Sequence, residues 1–371
     1  MVATALLALA LLAQPPTVRV WDDQLASNLT SAQVRFVATH EAGSQKLTRP
    51  QIDALKAINP HFRVLQYRLG IGLGRHTQII DGSRWVPEWP ARVQSQWFYE
   101  FNGKREYMKQ WGWHLMDTNN RSWRLFFTKQ LKRQVADTGA WGVFLDSSSV
   151  PNEFGGSAWF PPLPDLDLPF EHAWSARLAR WLPYVQRTVR KPVVANVGSW
   201  VTTRDKTSYA HIAGVMIEGF GAGYAPADWL LQQRRALSVS TPGRILIAQS
   251  YPKTAADRLF DVASYLLVQG PQSYVNIETS MQAEWWPEYD VDLGRPLGTT
   301  HYGAYAWRNF EKGRVFVNAS DTPQTVPANG KLLVFHGGGL VSSDGSTSTR
   351  ITTRYVTELK LAPHTAAIVY A

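Results

Sequence analysis

Eight short apolar runs, most of them separated by helical patterns, restrict the fold of this chain more than any other feature. Parallel strands that are buried on both faces are near-continuous apolar runs of this kind. Eight such strands alternating with helices are typical of a (β/α)8 TIM barrel, an α/β fold. We predict the strands at residues 18–21, 34–38, 62–67, 142–146, 192–196, 214–218, 244–248 and 273–277.

Two alternatives to this assignment stay open. If residues 113–116 form a barrel strand, residues 18–21 lie outside the barrel. An open, doubly wound sheet is the alternative fold, although no Gly-rich phosphate-binding turn follows the first run.

The pattern changes near residue 303, where short strand-like runs alternate with turn pairs such as Asn329-Gly330 and no helical pattern follows. A chain of 371 residues also exceeds what one core usually holds. We therefore predict a barrel domain at residues 15–300 and a small all-β sandwich domain at residues 301–371.

Residues 1–13 are all apolar or small, and Gln14 and two prolines follow. This run is shorter than the roughly 20 residues of a membrane span, and it fits the apolar part of a signal peptide without the usual basic start. We predict a signal peptide at residues 1–14, no stable membrane span, and a secreted or periplasmic protein. An internal helix is the alternative.

The composition excludes some chemistries and favours others. The absence of cysteine excludes disulfides and thiolate catalysis. The 16 tryptophans, many of them in predicted loops, favour flat stacking surfaces such as those that bind sugars.

The net charge of +9 comes from basic residues that are scattered along the sequence. We interpret the densest run, residues 129–133, as a solvated helix face, so we expect no binding of nucleic acid. We also expect a monomer. The charge does favour an anionic partner such as an acidic polysaccharide.

Two carboxylates stand where the barrel would place its chemistry. Asp146 and Glu218 each end a clean apolar run, two strands apart, and the carboxyl ends of barrel strands carry the active site. Glycoside hydrolysis requires such a pair, one acid to protonate the leaving oxygen and one carboxylate to attack the sugar or activate water. A Trp-lined pocket would raise the pKa of the acid. The alternatives are two turn caps or an ion pair with Arg68.

Other polar and aromatic residues at or after the predicted strand ends are candidates for substrate binding. They are Asp22, His40, Tyr67, Arg68, Asp117, Asn196, Tyr251, Glu278, Trp285 and Trp286. For Trp285 and Trp286, a hydrophobic plug between the barrel and the β domain is the alternative.

Metal and nucleophilic-serine chemistry have weaker support. Asp22-Asp23, His40-Glu41 and Glu171-His172 form no zinc motif, so we expect no metal and no other cofactor. Ser147 follows a strand, but the Gly-x-Ser-x-Gly pattern of hydrolases is missing, and we expect Ser147–Ser149 to orient Asp146.

Residues 39–46, 64–69, 142–147, 195–198, 214–219 and 361–370 carry a resemblance to a known group. The chain resembles bacterial TIM-barrel proteins identified as hypothetical glycosyl hydrolases, distantly similar to the endo-α-1,4-polygalactosaminidase and α-galactosidase types. The resemblance implies that Asp146 is the nucleophile and Glu218 the acid/base. These relatives often have Asn and a second Asp after the first acid, where this chain has Ser147–Ser149, so polygalactosamine is not inferred as the substrate.

Together these observations predict an exported, retaining glycoside hydrolase that acts on a polysaccharide or oligosaccharide. The alternative is a non-catalytic glycan-binding protein on a degenerate barrel. A basic exported protein that binds nucleic acid is a third, weaker hypothesis, which steep salt dependence of DNA affinity would reveal.

Overall fold

The structure is a computed structural model that describes residues 16–74, 93–153 and 155–371, together with the backbone of the short strands Gln78–Ile79 and Trp85–Val86. The predicted signal peptide at residues 1–14 lies outside the described residues and stays a prediction. Within these described ranges, no helix is long and apolar enough to cross a membrane.

Eight parallel strands close into a barrel in the order β1-β8-β7-β6-β5-β4-β3-β2, which confirms the (β/α)8 fold and excludes the open sheet. Residues 113–115 pair antiparallel outside the barrel, so that alternative is also excluded. The barrel strands are β1 (Val20–Asp22), β2 (Glu41–Gln45), β3 (Arg63–Leu69), β4 (Gly142–Asp146), β5 (Val193–Asn196), β6 (Gly214–Glu218), β7 (Ile245–Ser250) and β8 (Ser273–Ile277).

In the part of the chain that the structure describes, six α-helices lie against the outside of the barrel. Asn120 caps the third of them by accepting a hydrogen bond from the Trp123 N–H, and Gly139 ends it in the left-handed conformation. Residues 197–213 connect β5 to β6 without a regular helix. The helices are α1 (Ser31–His40), α2 (Arg49–Ile58), α3 (Arg121–Thr138), α4 (Leu168–Val189), α5 (Pro226–Val239) and α6 (Ala255–Val268).

The predicted second strand at residues 34–38 is wrong, because these residues belong to α1. Thr30 and Gln33 form a capping box that starts this helix, and a five-residue apolar run fits a helix face as well as a strand. The true strand β2 escapes a hydrophobicity search because it is Glu-Ala-Gly-Ser-Gln. Gly43 is required there, since a Cβ would lie 2.3 Å from the Arg63 carbonyl oxygen and 2.4 Å from the Trp21 ring.

Large side chains fill the interior of the barrel below its carboxyl end. Trp21, Tyr67, Phe144, Met216 and Tyr274 belong to one buried cluster contributed by different strands. Alternate residues of the same strands point outward and join the larger core between the strands and the helices. The packed interior leaves space for a ligand only at the strand ends.

Two long loops meet in a small antiparallel sheet. The segment between β3 and α3 contributes Gly72–Gly74, Trp113–Leu115 and Tyr107–Met108, and the loop after β4 contributes Trp159–Phe160.

Six strands after the barrel form one antiparallel sheet in the order β9-β10-β11-β14-β12-β13. One face of this sheet packs against α6. On the other face, Phe316, Val326 and Leu359 belong to a separate buried cluster. The predicted domain boundary at residue 301 falls at the end of β9. The strands are β9 (Pro296–His301), β10 (Ala306–Phe310), β11 (Gly313–Asn318), β12 (Gln324–His336), β13 (Arg350–Leu361) and β14 (Thr365–Tyr370).

Candidate active site

A cavity of about 880 Å³ opens at the carboxyl ends of the barrel strands. Polar residues from the strand ends line its floor, and Met108, Trp111, Trp113 and Trp159 of the small antiparallel sheet line one wall. Its size lies at the upper end of the range that ligand-binding pockets occupy.

Asp146, the last residue of β4, accepts three hydrogen bonds in this cavity. The Tyr67 hydroxyl donates to Oδ2 at 2.7 Å, and the Ser147 N–H donates to Oδ1 at 2.8 Å. Asn196 Nδ2 also donates to Oδ1 at 2.8 Å. These three donors hold the carboxylate in one orientation. Ser147 reaches its position with a left-handed backbone (φ 50°), so the serine that follows Asp146 orients it through its backbone N–H.

Glu218, the last residue of β6, lies beside Asp146. Asn196 Nδ2 donates to its Oε2 at 2.6 Å, and the Tyr251 hydroxyl donates to its Oε1 at 2.8 Å. Burial, followed by the negative charge of Asp146, raises the pKa of Glu218 above its ordinary value. Glu218 therefore holds its proton to higher pH than an exposed glutamate.

Asn196 joins the two carboxylates through one amide nitrogen. Its Oδ1 accepts the Gly198 N–H at 2.9 Å, which leaves Nδ2 as the donor to Asp146 and Glu218. The two acceptor oxygens lie 2.8 Å and 2.6 Å from that nitrogen, so their separation cannot exceed the sum of those two distances.

A third carboxyl group, Glu278 after β8, continues the network. Gln249 Nε2 donates to its Oε2 at 2.8 Å and to the Tyr251 hydroxyl at 2.7 Å, so a chain of polar groups links Glu278 to Glu218. Burial, with the charge of Asp23 next in importance, raises the pKa of Glu278 to about 8. Glu278 is therefore mostly protonated at neutral pH.

The prediction for the end of β1 was wrong by one residue, because Asp23 and not Asp22 lines the cavity. Trp21 points into the barrel, so Asp22 points outward and Asp23 inward again. Burial, followed by the charge of Glu41, raises the pKa of Asp22 well above its ordinary range. The alternation that starts at Trp21 could have identified Asp23.

Sequence reasoning missed Lys46. Its ammonium group pairs with Asp23 and lies 5.5 Å from the centre of the Tyr67 ring, and it lines the cavity. The residue has a left-handed backbone (φ 62°) directly after β2. Its position was hidden because β2 itself was not predicted.

Three predicted site residues lie elsewhere. Arg68 alternates with Tyr67 along β3 and is buried outside the barrel, with its guanidinium 5.2 Å from the Phe127 ring. Asp117 pairs with Arg177 at 2.5 Å and does not line the cavity. His40 is the exposed last residue of α1 and stacks on Phe36, a consequence of the misplaced second strand.

Trp285 and Trp286 form the plug that was the alternative to sugar stacking. Trp285 is buried with its ring centre 5.3 Å from that of Phe36, and the strand Glu284–Trp285 pairs with Gly339–Leu340. The Trp286 ring lies under Arg258, 4.3 Å from the guanidinium carbon. Both residues therefore lie where the barrel meets the C-terminal region, and neither lines the cavity.

Trp111 is the most exposed aromatic residue of the cavity wall. It lies on the turn between Tyr107–Met108 and Trp113–Leu115, and 52% of its surface is accessible. Trp113 and Trp159 behind it are buried and meet edge to face, with ring centres 5.0 Å apart. An exposed ring on a fixed support is suited to stacking on a sugar.

No group of three or more His, Cys, Asp or Glu side chains placed to hold a metal ion is found in the described part of the chain.

Comparisons with solved structures match several α-amylases at low identity. The α-amylase from H. orenii is 8% identical, with a TM-score of 0.46 over 95% of this chain and 99% of that one. The maltogenic α-amylase AmyB from Thermotoga neapolitana is 8% identical, with a TM-score of 0.44 over 95% and 99% of the two chains. The Geobacillus thermoleovorans α-amylase complexed with acarbose is 8% identical, with a TM-score of 0.42 over 95% and 98%.

No curated protein matches the sequence. Residues 56–314, well over half of the chain, match the family described as hypothetical glycosyl hydrolase family 15. This match covers β3 to β10 and therefore includes Asp146, Asn196 and Glu218. The chain belongs to hypothetical glycosyl hydrolase family 15 and is a glycoside hydrolase.

Proposed function

We propose that this protein hydrolyses a polysaccharide with retention of anomeric configuration, using Asp146 as the nucleophile and Glu218 as the acid/base. The observation that carries the proposal is the single Asn196 amide nitrogen that donates to both carboxylates. Retaining enzymes place their two carboxyl groups about 5–5.5 Å apart, whereas inverting enzymes keep about 6.5–9.5 Å for a water molecule. One Asp146 oxygen and one Glu218 oxygen accept from the same Asn196 nitrogen, which agrees with the shorter spacing of the retaining enzymes.

The different surroundings of the two carboxyl groups support the division of roles. Asp146 has three hydrogen-bond donors, which fix its position for attack on the anomeric carbon. Glu218 has a raised pKa and suits the donation of a proton to the departing glycosidic oxygen. In the second step, the Glu218 carboxylate takes a proton from water, and the hydroxide oxygen displaces Asp146 from the sugar.

The shape of the cavity supports a chain-like substrate. Trp111 stands at one side of the opening, and Tyr251 and Met281, both more than 40% exposed, also line it. Such apolar surfaces fit the faces of successive sugar rings. We include export by the signal peptide at residues 1–14 in the proposal.

The test is a panel of polysaccharides assayed for new reducing ends with the wild type, Asp146→Asn and Asp117→Asn. We expect Asp146→Asn to lower turnover by about three orders of magnitude or more, because the attacking carboxylate is lost. Asp117→Asn makes the same chemical change outside the cavity and should leave turnover within about threefold of wild type. Near-normal activity of Asp146→Asn would overturn the proposal, and glycan binding without released ends would favour the non-catalytic alternative.

A further inference from the structure

The positive charge of this protein is concentrated on two neighbouring helices. α3 carries five cations, at Arg121, Arg124, Lys129, Lys132 and Arg133, against the single carboxylate Asp137. The side chain of Arg124 is half-buried, and the other four are exposed.

The helix α4 and the two residues after it add five more cations. They are Arg177, Arg180, Arg187, Arg190 and Lys191. The single carboxylate of this segment, Glu171, is buried. Ten cations and two carboxylates leave a surplus of eight on these segments, whereas the whole chain has a net charge of +9. We call this surface the α3–α4 basic face.

The two groups of cations are close together in space. Arg124 of α3 lies over the ring of Tyr184 of α4 at 5.2 Å. Burial lowers the pKa of Arg124, and the charges of Arg180 and Arg177 lower it further. Further along α3, Lys132 lines a groove of about 300 Å³ together with Lys191, which follows α4. The cations that are scattered in the sequence therefore form one surface in the fold.

Few cations of this face have a carboxylate partner. Within the ranges that the structure describes, Arg177 with Asp117 is the one ion pair among the ten. By contrast, Arg49, Arg295 and Lys312 elsewhere on the surface each pair with a carboxylate. Like charges three and four residues apart on a helix destabilise it, so the spacing of Lys129, Lys132 and Arg133 opposes folding.

The catalytic cavity has the opposite charge. Its described lining includes the carboxyl groups of Asp23, Asp146, Glu218 and Glu278 and the ammonium group of Lys46, and no cation of the basic face lines it. An anionic polymer is therefore repelled from the cavity and attracted to the outer wall of the barrel. The two surfaces are suited to different ligands.

We infer that the α3–α4 basic face is a second, non-catalytic binding surface for an acidic polysaccharide, distinct from the chain that the cavity hydrolyses. The curved outer wall suits a flexible chain that follows it better than a flat bilayer, and carboxylate groups repeated along such a chain match the forked donors of arginine. The choice of a polysaccharide over other polyanions rests on the proposed function.

The test compares two triple variants that change the net charge equally. Lys129→Glu/Lys132→Glu/Arg133→Glu reverses three charges of the basic face. Lys331→Glu/Arg354→Glu/Lys360→Glu reverses three exposed charges of the C-terminal sheet. Both are made in an Asp146→Asn background, so that hydrolysis does not disturb binding. The probes are polygalacturonate, neutral dextran, a DNA duplex and vesicles that contain phosphatidylglycerol, each at low and at physiological salt.

We expect the protein to bind polygalacturonate and not dextran, with an affinity that falls as salt rises. The basic-face variant should bind polygalacturonate about tenfold more weakly or worse, because three attractions become repulsions, while the C-terminal variant should change about twofold or less. Equal weakening by both variants, absence of binding, or tighter binding of DNA or vesicles than of polygalacturonate would overturn the inference.

Two controls separate folding and catalysis from binding. Circular dichroism reports whether each variant folds, and Lys129→Gln/Lys132→Gln/Arg133→Gln, which only neutralises the charges, should show a smaller loss in the same direction. With Asp146 restored, both charge-reversal variants should hydrolyse short soluble oligosaccharides as the wild type does. If Asp146→Asn proves fully active, the proposed mechanism fails while the polygalacturonate result still decides the role of the basic face.

Discussion

Asn196 is the residue that couples the two catalytic carboxyl groups. One amide nitrogen serves both Asp146 and Glu218, and the Gly198 N–H fixes the amide orientation. A preorganised donor of this kind is worth most where charge changes during the reaction. The position of Asp146 relative to Glu218 therefore depends on a residue that itself transfers no proton.

We predict that Asn196→Ala lowers kcat by about 100-fold to 1,000-fold, the usual effect of removing one preorganised donor. Asn119→Ala, at an exposed asparagine outside the cavity, is the matched control and should leave kcat unchanged. Initial rates of reducing-end release measure both. A kcat of Asn196→Ala within about threefold of wild type would contradict the role assigned to the amide.

Tyr251 adjusts the acid. Its hydroxyl bond to Glu218 lowers the pKa that burial and the Asp146 charge raise. Removing the hydroxyl in Tyr251→Phe raises the pKa of Glu218 further, so the protonated acid survives to higher pH. We predict that the alkaline limb of kcat/KM moves to higher pH in this variant. A limb that stays in place or moves to lower pH would show that Glu218 is not the acid.

The strand ends show which residues the sequence could identify. Asp146, Asn196 and Glu218 each follow a clean apolar strand, so the strand's end and the direction of its last side chain were both readable. The end of β1 is Trp-Asp-Asp, where a shift of one residue changes the face, and Asp22 was chosen instead of Asp23. Arg68 was misjudged for the same reason.

At the scale of elements, the small antiparallel sheet over the barrel provides the aromatic wall. Its strands have two or three residues each, and they come from two loops far apart in the sequence. Elements this short carry no readable periodicity, so the sequence did not predict these strands. The polar strand β2 was lost for a related reason, since hydrogen bonds and Gly43 maintain it without an apolar run.

We predict that Trp111→Ala raises KM for the preferred polysaccharide by about threefold to tenfold, the worth of one stacked ring. Hydrolysis of an aryl glycoside that fills only the sugar site next to Asp146 should not change. Trp111→Phe retains a flat ring and should restore most of the affinity. Equal loss on both substrates would instead indicate a general disturbance of the cavity.

At the scale of the whole molecule, buried carboxyl groups make stability depend on pH. Burial raises the pKa of Glu106 to about 7 and those of Glu153 and Glu278 to about 8. A carboxyl group whose pKa is raised by folding stabilises the fold at low pH, and that contribution is lost as the pH rises from the unfolded value through the folded value.

We therefore predict that the urea midpoint of unfolding falls between pH 6 and pH 9. The glutamine of Glu153→Gln cannot ionise, so the urea midpoint of this variant should fall less than that of the wild type over this interval. The midpoint of Asp344→Asn, at an exposed carboxylate, should follow that of the wild type. Urea titrations followed by tryptophan fluorescence at the two pH values measure the difference. A wild-type midpoint that rises with pH would contradict the assignment.

The overall architecture was readable from the sequence because seven of the eight barrel strands and a late change to an all-β pattern are long-range regularities. Charge was not readable in the same way. Lys132 and Lys191 are far apart in the sequence but line one groove, so the basic residues appear scattered until the chain is folded. Spatial grouping of surface residues depends on helix packing, which no local pattern encodes.

The most direct measurement is the identity of the residue that becomes bonded to the sugar during turnover. A 2-deoxy-2-fluoro glycosyl fluoride, matched to the sugar that the polysaccharide panel identifies, slows release of the intermediate so that it accumulates. Peptide mass spectrometry then locates the ester. We predict that the glycosyl group is on Asp146 and that Asp146→Asn is not labelled. A glycosyl group on another carboxylate, or turnover that continues with Asp146 unlabelled, would contradict the assignment of Asp146 as the nucleophile.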